Sequence, residues 1–446
     1  MRSSIILTFS FLSVLFAQTK LGSDIDGEAA TDYSGKSVSM NSAGDRVAIG
    51  AYGNDGTASN AGHVRVYEYS SSSWSQLGSD IDGEAASDYS GYSVSMDSDG
   101  DRVAIGAWLN DGNGNAAGHV RVYEYSSSSW SQLGSDIDGE AAGDYSGGSV
   151  SLNSDGDRVA IGAHGNDGTG TDVGHVRVYE YSSSSWSQLG SDIDGEVAGD
   201  QSGRSVSINS SGDRVAIGAQ NNDGTGTDAG HVRVYEYSSS SWSQLGSDID
   251  GEVAGDQSGY SVSMDSDGDR VAIGAHYNDG TGTSAGHVRV YEYSGGSWSQ
   301  VGSDIDGEAA GDNSGGEVAM DSDGSHVAIG AYNNDGSASG AGHVRVYEYS
   351  GGSWIQVGSD IDGEAAGDES GTSVSMDSNG DRVAIGAYLN DGTASNAGHV
   401  RVYSFDTTAP TMTIATTLAI TPVVTTLAGS GSAGSANGTG SGATFN

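Results

Sequence analysis

The octapeptide Leu-Gly-Ser-Asp-Ile-Asp-Gly-Glu, with Val for Leu in two copies, begins at residues 21, 77, 133, 189, 245, 301 and 357, always 56 residues apart. Gly-His-Val-Arg-Val-Tyr returns in the same register and carries His63, His119, His175, His231, His287, His343 and His399. A chain that writes one unit seven times must stack or ring copies of one supersecondary element, because a single unit cannot bury its apolar face alone.

Within the second unit, alternation and β-branched content predict strands at Ser93–Met96, Arg102–Ala107, His119–Tyr125 and Trp130–Ile137. Short turns join the first strand to the second and the third to the fourth, and long loops make the other two connections. The expected class is all-β: a seven-bladed β-propeller of 56-residue, four-stranded repeats over residues 18–406. The ends argue for a closed ring. The repeats open with a fourth strand that has no first three before it, and close at 399–406 with a third strand that has no fourth. The N-terminal strand is therefore expected to close the last blade, which an open β-solenoid would not need.

The 446 residues include no Cys and 2 Pro, and carry a net charge of -43. That charge excludes nucleic acid and anionic membrane as partners, since both would repel it. Without Cys there are no disulfides, so stability has another source. Residues 1–17 read as a signal peptide, with Arg2 ahead of an apolar run from Ile5 to Phe16 and a small residue, Ala17. The mature chain is expected to be secreted or on the extracellular surface, without membrane insertion. Residues 407–423 read as a Thr-rich linker.

The order Ser-Gly-Tyr-Ser-Val-Ser-Met-Asp-Ser-Asp-Gly-Asp-Arg-Val-Ala-Ile-Gly-Ala (90–107), then Asn-Asp-Gly and Gly-His-Val-Arg-Val-Tyr, resembles the FG-GAP repeat. That repeat is the blade unit of the integrin α-subunit propeller and of many secreted bacterial and algal proteins. The resemblance covers all seven units and implies the same propeller. The name-giving Phe-Gly is here Ser90-Gly91, and no Pro follows Gly-Ala, so integrin-like ligand specificity does not carry over. The tail at 424–446 resembles the truncated start of an NHL-repeat propeller.

The resemblance implies a calcium loop in some blades at Asp97-Ser98-Asp99-Gly100-Asp101. The spacing argues for a turn instead, because Gly stands fourth rather than sixth and Ala43 takes the third position in the first unit. The stronger metal candidate is the Asp80, Asp82, Glu84, Asp88 set and its equivalents, four carboxylates in nine residues of every unit and suited to Ca2+. The His and Arg of the third strand are expected to be structural, packing and bonding between blades. Asn209-Ser210-Ser211 is a glycosylation sequon.

The residues that vary between units are expected on the long-loop rim. They are Tyr52, Trp108, His164, Gln220, His276, Tyr332 and Tyr388 after Gly-Ala, and Lys36, Tyr92, Gly148, Arg204, Tyr260, Gly316 and Thr372 ahead of the first strand. The aromatics, with Tyr92 and Tyr260 foremost, suit an extracellular protein or glycan ligand. No catalytic motif occurs, and no unit-specific acids stand out in more than one unit. The expectation is a non-enzymatic, calcium-stabilised propeller for adhesion or ligand binding, with an extracellular polysaccharide hydrolase or lyase, or a pure scaffold, as its rivals.

Overall fold

The computed structural model describes residues 18–405; the segments read from the sequence as a signal peptide (1–17), a Thr-rich linker (407–423) and an NHL-like tail (424–446) lie outside them. Seven antiparallel sheets form, each ordered first strand to fourth. In the second unit the strands are Ser93–Met96, Arg102–Ala107, His119–Ser126 and a fourth in two pieces, Ser129–Gln132 and Ile137–Asp138. The first strands of neighbouring sheets touch all the way round, with Ser37–Met40 against Ser373–Met376 completing the circuit. They line a central channel, and the molecule is a seven-bladed propeller.

Closure follows the expected route. Gln18–Lys20 pairs with Phe405–Tyr403, and Ile25–Asp26 with Val400–His399, so the last blade takes its fourth strand from the N-terminus. At the short-turn end, the Ser42 amide donates to the Ser98 carbonyl, Ser98 to Ser154, and so on until Ser378 donates back to Ser42. This is a closed circuit of backbone hydrogen bonds, one per blade.

The apolar core is divided among the seven blade interfaces. Between the first two blades it consists of Ala48, Val64, Val66 and Ile81 against Val94, Met96, Val103 and Ile105. Period-two alternation aims these side chains at the neighbouring sheet, and each interface repeats the set. Thin layers of Val, Ile and Ala thus suffice where 35% hydrophobic content would be lean for one large core. Close approach between blades demands glycine at Gly50, where a Cβ would fall on the carbonyl oxygen of Gly91 in the next blade. Ile105 is 1% exposed, so Ile105→Ala is expected to cost about 2–4 kcal/mol of unfolding free energy, measured by denaturant titration.

The fourth strand departs from the single segment Trp130–Ile137 expected from the sequence. It breaks at Leu133–Asp136, where Gly134 takes φ +78. The cause lies in the next blade: the Trp186 indole N–H donates to the Leu133 carbonyl at 2.7 Å, and its ring sits on Gly134. The sixth blade's fourth strand, Ser353–Asp362, runs unbroken. Its neighbour is the N-terminal strand, where Gln18 stands in place of the Trp.

The Asp97 turn uses its carboxylate internally. Oδ1 accepts the amides of Asp101 at 3.0 Å and Arg102 at 2.9 Å, which closes the hairpin. In the fourth unit the sequon residue Asn209 is buried at this same place, its amide donating to Asp213 and Ser211. The folded turn therefore occupies that sequon.

Candidate functional site

The four carboxylates of the Asp-Ile-Asp-Gly-Glu loop diverge. Asp80 accepts from the Gln76 amide at 2.6 Å. The Asp82 backbone carbonyl accepts from Arg121 of the next blade at 2.9 Å. Glu84 lies 3.5 Å from the same guanidinium. Asp88, 3% exposed, accepts from the Ala85 amide and the Asn110 side chain at 3.0 and 3.1 Å. Calcium requires about six to eight oxygens around one point, and the four acids of one loop do not offer them. The structure groups Glu84 with His119 and Asp136, with donor atoms within 4.8 Å of one another, and the arrangement recurs between blades. Burial, then Arg121, pushes the His119 imidazole below its ordinary pKa. Arg121 also stacks over Tyr123 at 5.5 Å. A metal here would have to compete with an arginine already beside its carboxylate.

These interfaces are nearly identical from blade to blade. The two channel mouths are not alike. At the short-turn end Met40, Met96, Leu152, Ile208, Met264, Met320 and Met376 crowd a space of about 170 Å³ behind the serine circuit. The long-loop end opens into a depression of about 360 Å³, and there the blades differ.

Nine of the fourteen predicted rim residues line that depression: the seven ahead of the first strands, Lys36, Tyr92, Gly148, Arg204, Tyr260, Gly316 and Thr372, together with Tyr332 and Tyr388. The other five, Tyr52, Trp108, His164, Gln220 and His276, are outside its lining. Tyr52 stacks on Tyr33 at 5.0 Å, Trp108 packs on Tyr92 at 4.8 Å, and His164 stacks on Tyr145 at 5.4 Å. Gln220 donates to Gln201 at 2.9 Å, and His276 lies 3.9 Å from Tyr260. Burial, then Arg204, lowers the His164 and His276 imidazoles to about 4 and about 3, so both are neutral near pH 7. Tyr332 packs over Gly316, which lies inside the longer inner strand Ser314–Met320 of its blade: a Cβ on Gly316 would collide with its ring.

Sequence reasoning missed two acids. Glu317 and Glu369 also line the depression, which corrects the expectation that no unit-specific acids occur in more than one unit. The signal was available in register: Glu317 replaces a Ser found in six units, and Glu369 replaces a Tyr, Gln or Asn. Burial raises the Glu317 carboxyl to about 7, with Lys36 and Arg204 opposing the rise. Lys36 Nζ lies 5.0 Å from the Tyr388 ring and 5.7 Å from Tyr92, and the Arg204 guanidinium 4.6 Å from Tyr260. Such contacts stabilise a cation by about 0.5–2 kcal/mol without neutralising it.

The comparisons with known proteins agree with this architecture. The FG-GAP repeat model matches residues 81–123, which span the second blade's first three strands and the loop before them. Among solved structures, a candidate 6-phosphogluconolactonase of Bacteroides uniformis superposes with a TM-score of 0.51 at 11% identity, covering 74% of this chain and 85% of that one. At that identity the likeness is one of fold. The sequence matches none of the curated proteins compared with it.

Proposed function

We propose that this seven-bladed propeller of FG-GAP repeats is a non-enzymatic, exported binding protein that takes an extracellular glycan or protein ligand at the long-loop mouth of its channel. One observation carries the reading: the frame repeats sevenfold, and side-chain differences converge on a single depression lined by Tyr92, Tyr260, Tyr332 and Tyr388. Aromatic faces on a rigid frame provide large contact area at small entropic cost. Glycan and peptide arrays test it. Saturable binding without turnover is expected, with at least a tenfold loss in Tyr92→Ala or Tyr260→Ala. Binding unaffected by both variants would move the site elsewhere.

Glu317 and Glu369 favour a second reading, a polysaccharide hydrolase or lyase, since two carboxylates facing one cavity in unlike surroundings suit acid–base work. Release of reducing ends from a bound glycan would decide for it.

Calcium enters as a stabiliser. Because the loop acids diverge and an arginine attends each Glu-His-Asp group, the expected result is equal stabilisation by calcium and magnesium at matched ionic strength. A rise in thermal midpoint specific to calcium, reversed by chelator, would put ions at these groups.

A further inference from the structure

Resting on the reading of the channel mouth as a ligand site, we propose that its ligand is a sugar acid: one carboxylate on a pyranose ring, held between Lys36 and Arg204 with the ring against a tyrosine face.

Charge is the first argument. The chain carries 17 Lys and Arg against 60 Asp and Glu. Nearly all described cations are spent on the frame: Lys20 pairs with Asp24, and twelve arginines of the second and third strands each lie within 4 Å of a glutamate. Arg382 donates to the carbonyls of Ala43 and Gly44 instead. Lys36 and Arg204 have no carboxylate within that distance among the described residues, and both line the same depression. In so acidic a molecule, two cations without a carboxylate in direct contact make a local site for an anion, one that competes there with Glu317 and Glu369 of the same lining.

The anion should carry a single charge. A polyanion, or an acidic peptide running outward, would pass loop glutamates such as Glu84, 46% exposed, in every blade. A lone carboxylate inside the channel avoids them. The remaining lining names the rest of the ligand. Arg204 and His276 already lie against Tyr260, and Trp108 against Tyr92. The Tyr332 ring, which no other described aromatic ring or cation covers, offers a flat face with a hydroxyl at the edge, as a pyranose requires. The volume of about 360 Å³ is in the range for a small ligand.

Glu317 tunes the site. It faces Lys36 and Arg204, with Tyr92, Tyr260, Tyr332, Tyr388 and Glu369 as the other titratable groups of the lining. Ionised, it competes for both cations. Protonated, it frees them, so affinity for the acid should rise as pH falls through neutrality.

Titration calorimetry with D-glucuronate and D-glucose, which differ by the carboxylate, tests the proposal. The variants copy residues that other units carry at the same positions, and the frame accommodates them: Lys36→Thr, Arg204→Thr and Glu317→Ser. Glucuronate is expected to bind at least tenfold tighter than glucose, and each cation variant to lose about tenfold. Glu317→Ser should bind tighter at pH 8 and lose the pH dependence. Glucose binding equally well, with neither cation variant changing glucuronate affinity, would overturn the sugar-acid assignment while leaving the tyrosine-lined mouth as a ligand site. Cyclohexanecarboxylate, which keeps one carboxylate on a six-membered ring without the sugar hydroxyls, binding as tightly as glucuronate would overturn the sugar. No binding of either sugar would overturn the proposal, whereas the mouth itself stands or falls with the arrays and the tyrosine variants.

Discussion

Removing residues 18–26 is expected to abolish the native fold at 25 °C or to leave it only marginally stable. The loss is larger than nine terminal residues would suggest. Gln18–Lys20 and Ile25–Asp26 supply the outer strand of the last blade, so deletion exposes the edge of His399–Phe405. It also removes Ile25, 4% exposed, from the interface with the first blade, where Leu21 packs against the same cluster. Two large aliphatic side chains contribute about 1.5–3 kcal/mol each. Next, the Arg65 guanidinium, 5% exposed in the intact fold, loses the Asp26 carbonyl, to which it donates at 2.8 Å. A buried donor left without a partner costs about 1–3 kcal/mol more. The sum, about 5 kcal/mol or above, rivals the whole stability of many domains. Denaturant titration would read it directly. Re-supplying the strand from the other end, by fusing residues 18–26 after Phe405 through a Ser-rich turn, should restore most of the loss, because the ring fixes only where the strand sits. A deletion mutant that melts within about two degrees of the parent would mean that closure contributes little.

The ring was legible because a 56-residue period, four alternating segments and complementary ends leave few architectures open. Strand ends were less so. The break at Leu133–Asp136 is imposed by Trp186, a residue of the next blade, and no reading of one unit alone contains it. The site was half legible. Variation among units found the long-loop mouth, and Tyr92, Tyr260, Tyr332 and Tyr388 do line it. Which tyrosines face the channel depends on their neighbours, as Tyr332 does on Gly316. Glu317 and Glu369 were passed over because each is one substitution within a unit full of acids, and only a column-by-column comparison of the units isolates them.

The same comparison predicts how stability responds to pH. In the second, fifth and seventh units the residue that closes the inner hairpin is Asp97, Asp265 or Asp377. Burial, then the neighbouring Asp101, Asp269 or Asp381, raises these carboxyls to about 6, about 6 and about 7. The first, third and fourth units place Asn there, and its amide donates to the matching aspartate at 2.8–2.9 Å. The sixth lacks the second acid: Ser325 donates to Asp321 at 3.2 Å, and His326 Nδ1 lies 2.8 Å from it. Four units thus avoid the like-charge pair that three retain. Because the folded pKa values exceed the unfolded value of about 3.9, the folded state holds protons that the unfolded chain has released. The contribution of these three carboxyls to stability is accordingly expected to fall as pH rises from about 4 to about 7, and to level off above. The buried imidazoles such as His164 and His276 set the opposite trend, because their lowered pKa values favour the folded state as pH rises. A tenfold change in acidity corresponds to about 1.4 kcal/mol; solvent screening at these turns reduces the contribution to about 1 kcal/mol per site. The triple variant Asp97→Asn, Asp265→Asn, Asp377→Asn should therefore gain about 3 kcal/mol over the parent at pH 8 and gain little at pH 4, the difference growing between them. Denaturant midpoints at the two pH values measure it. An equal gain at both would assign the effect to general relief of the net charge of -43, since only the paired carboxyls confine it to the window between their unfolded and folded pKa values.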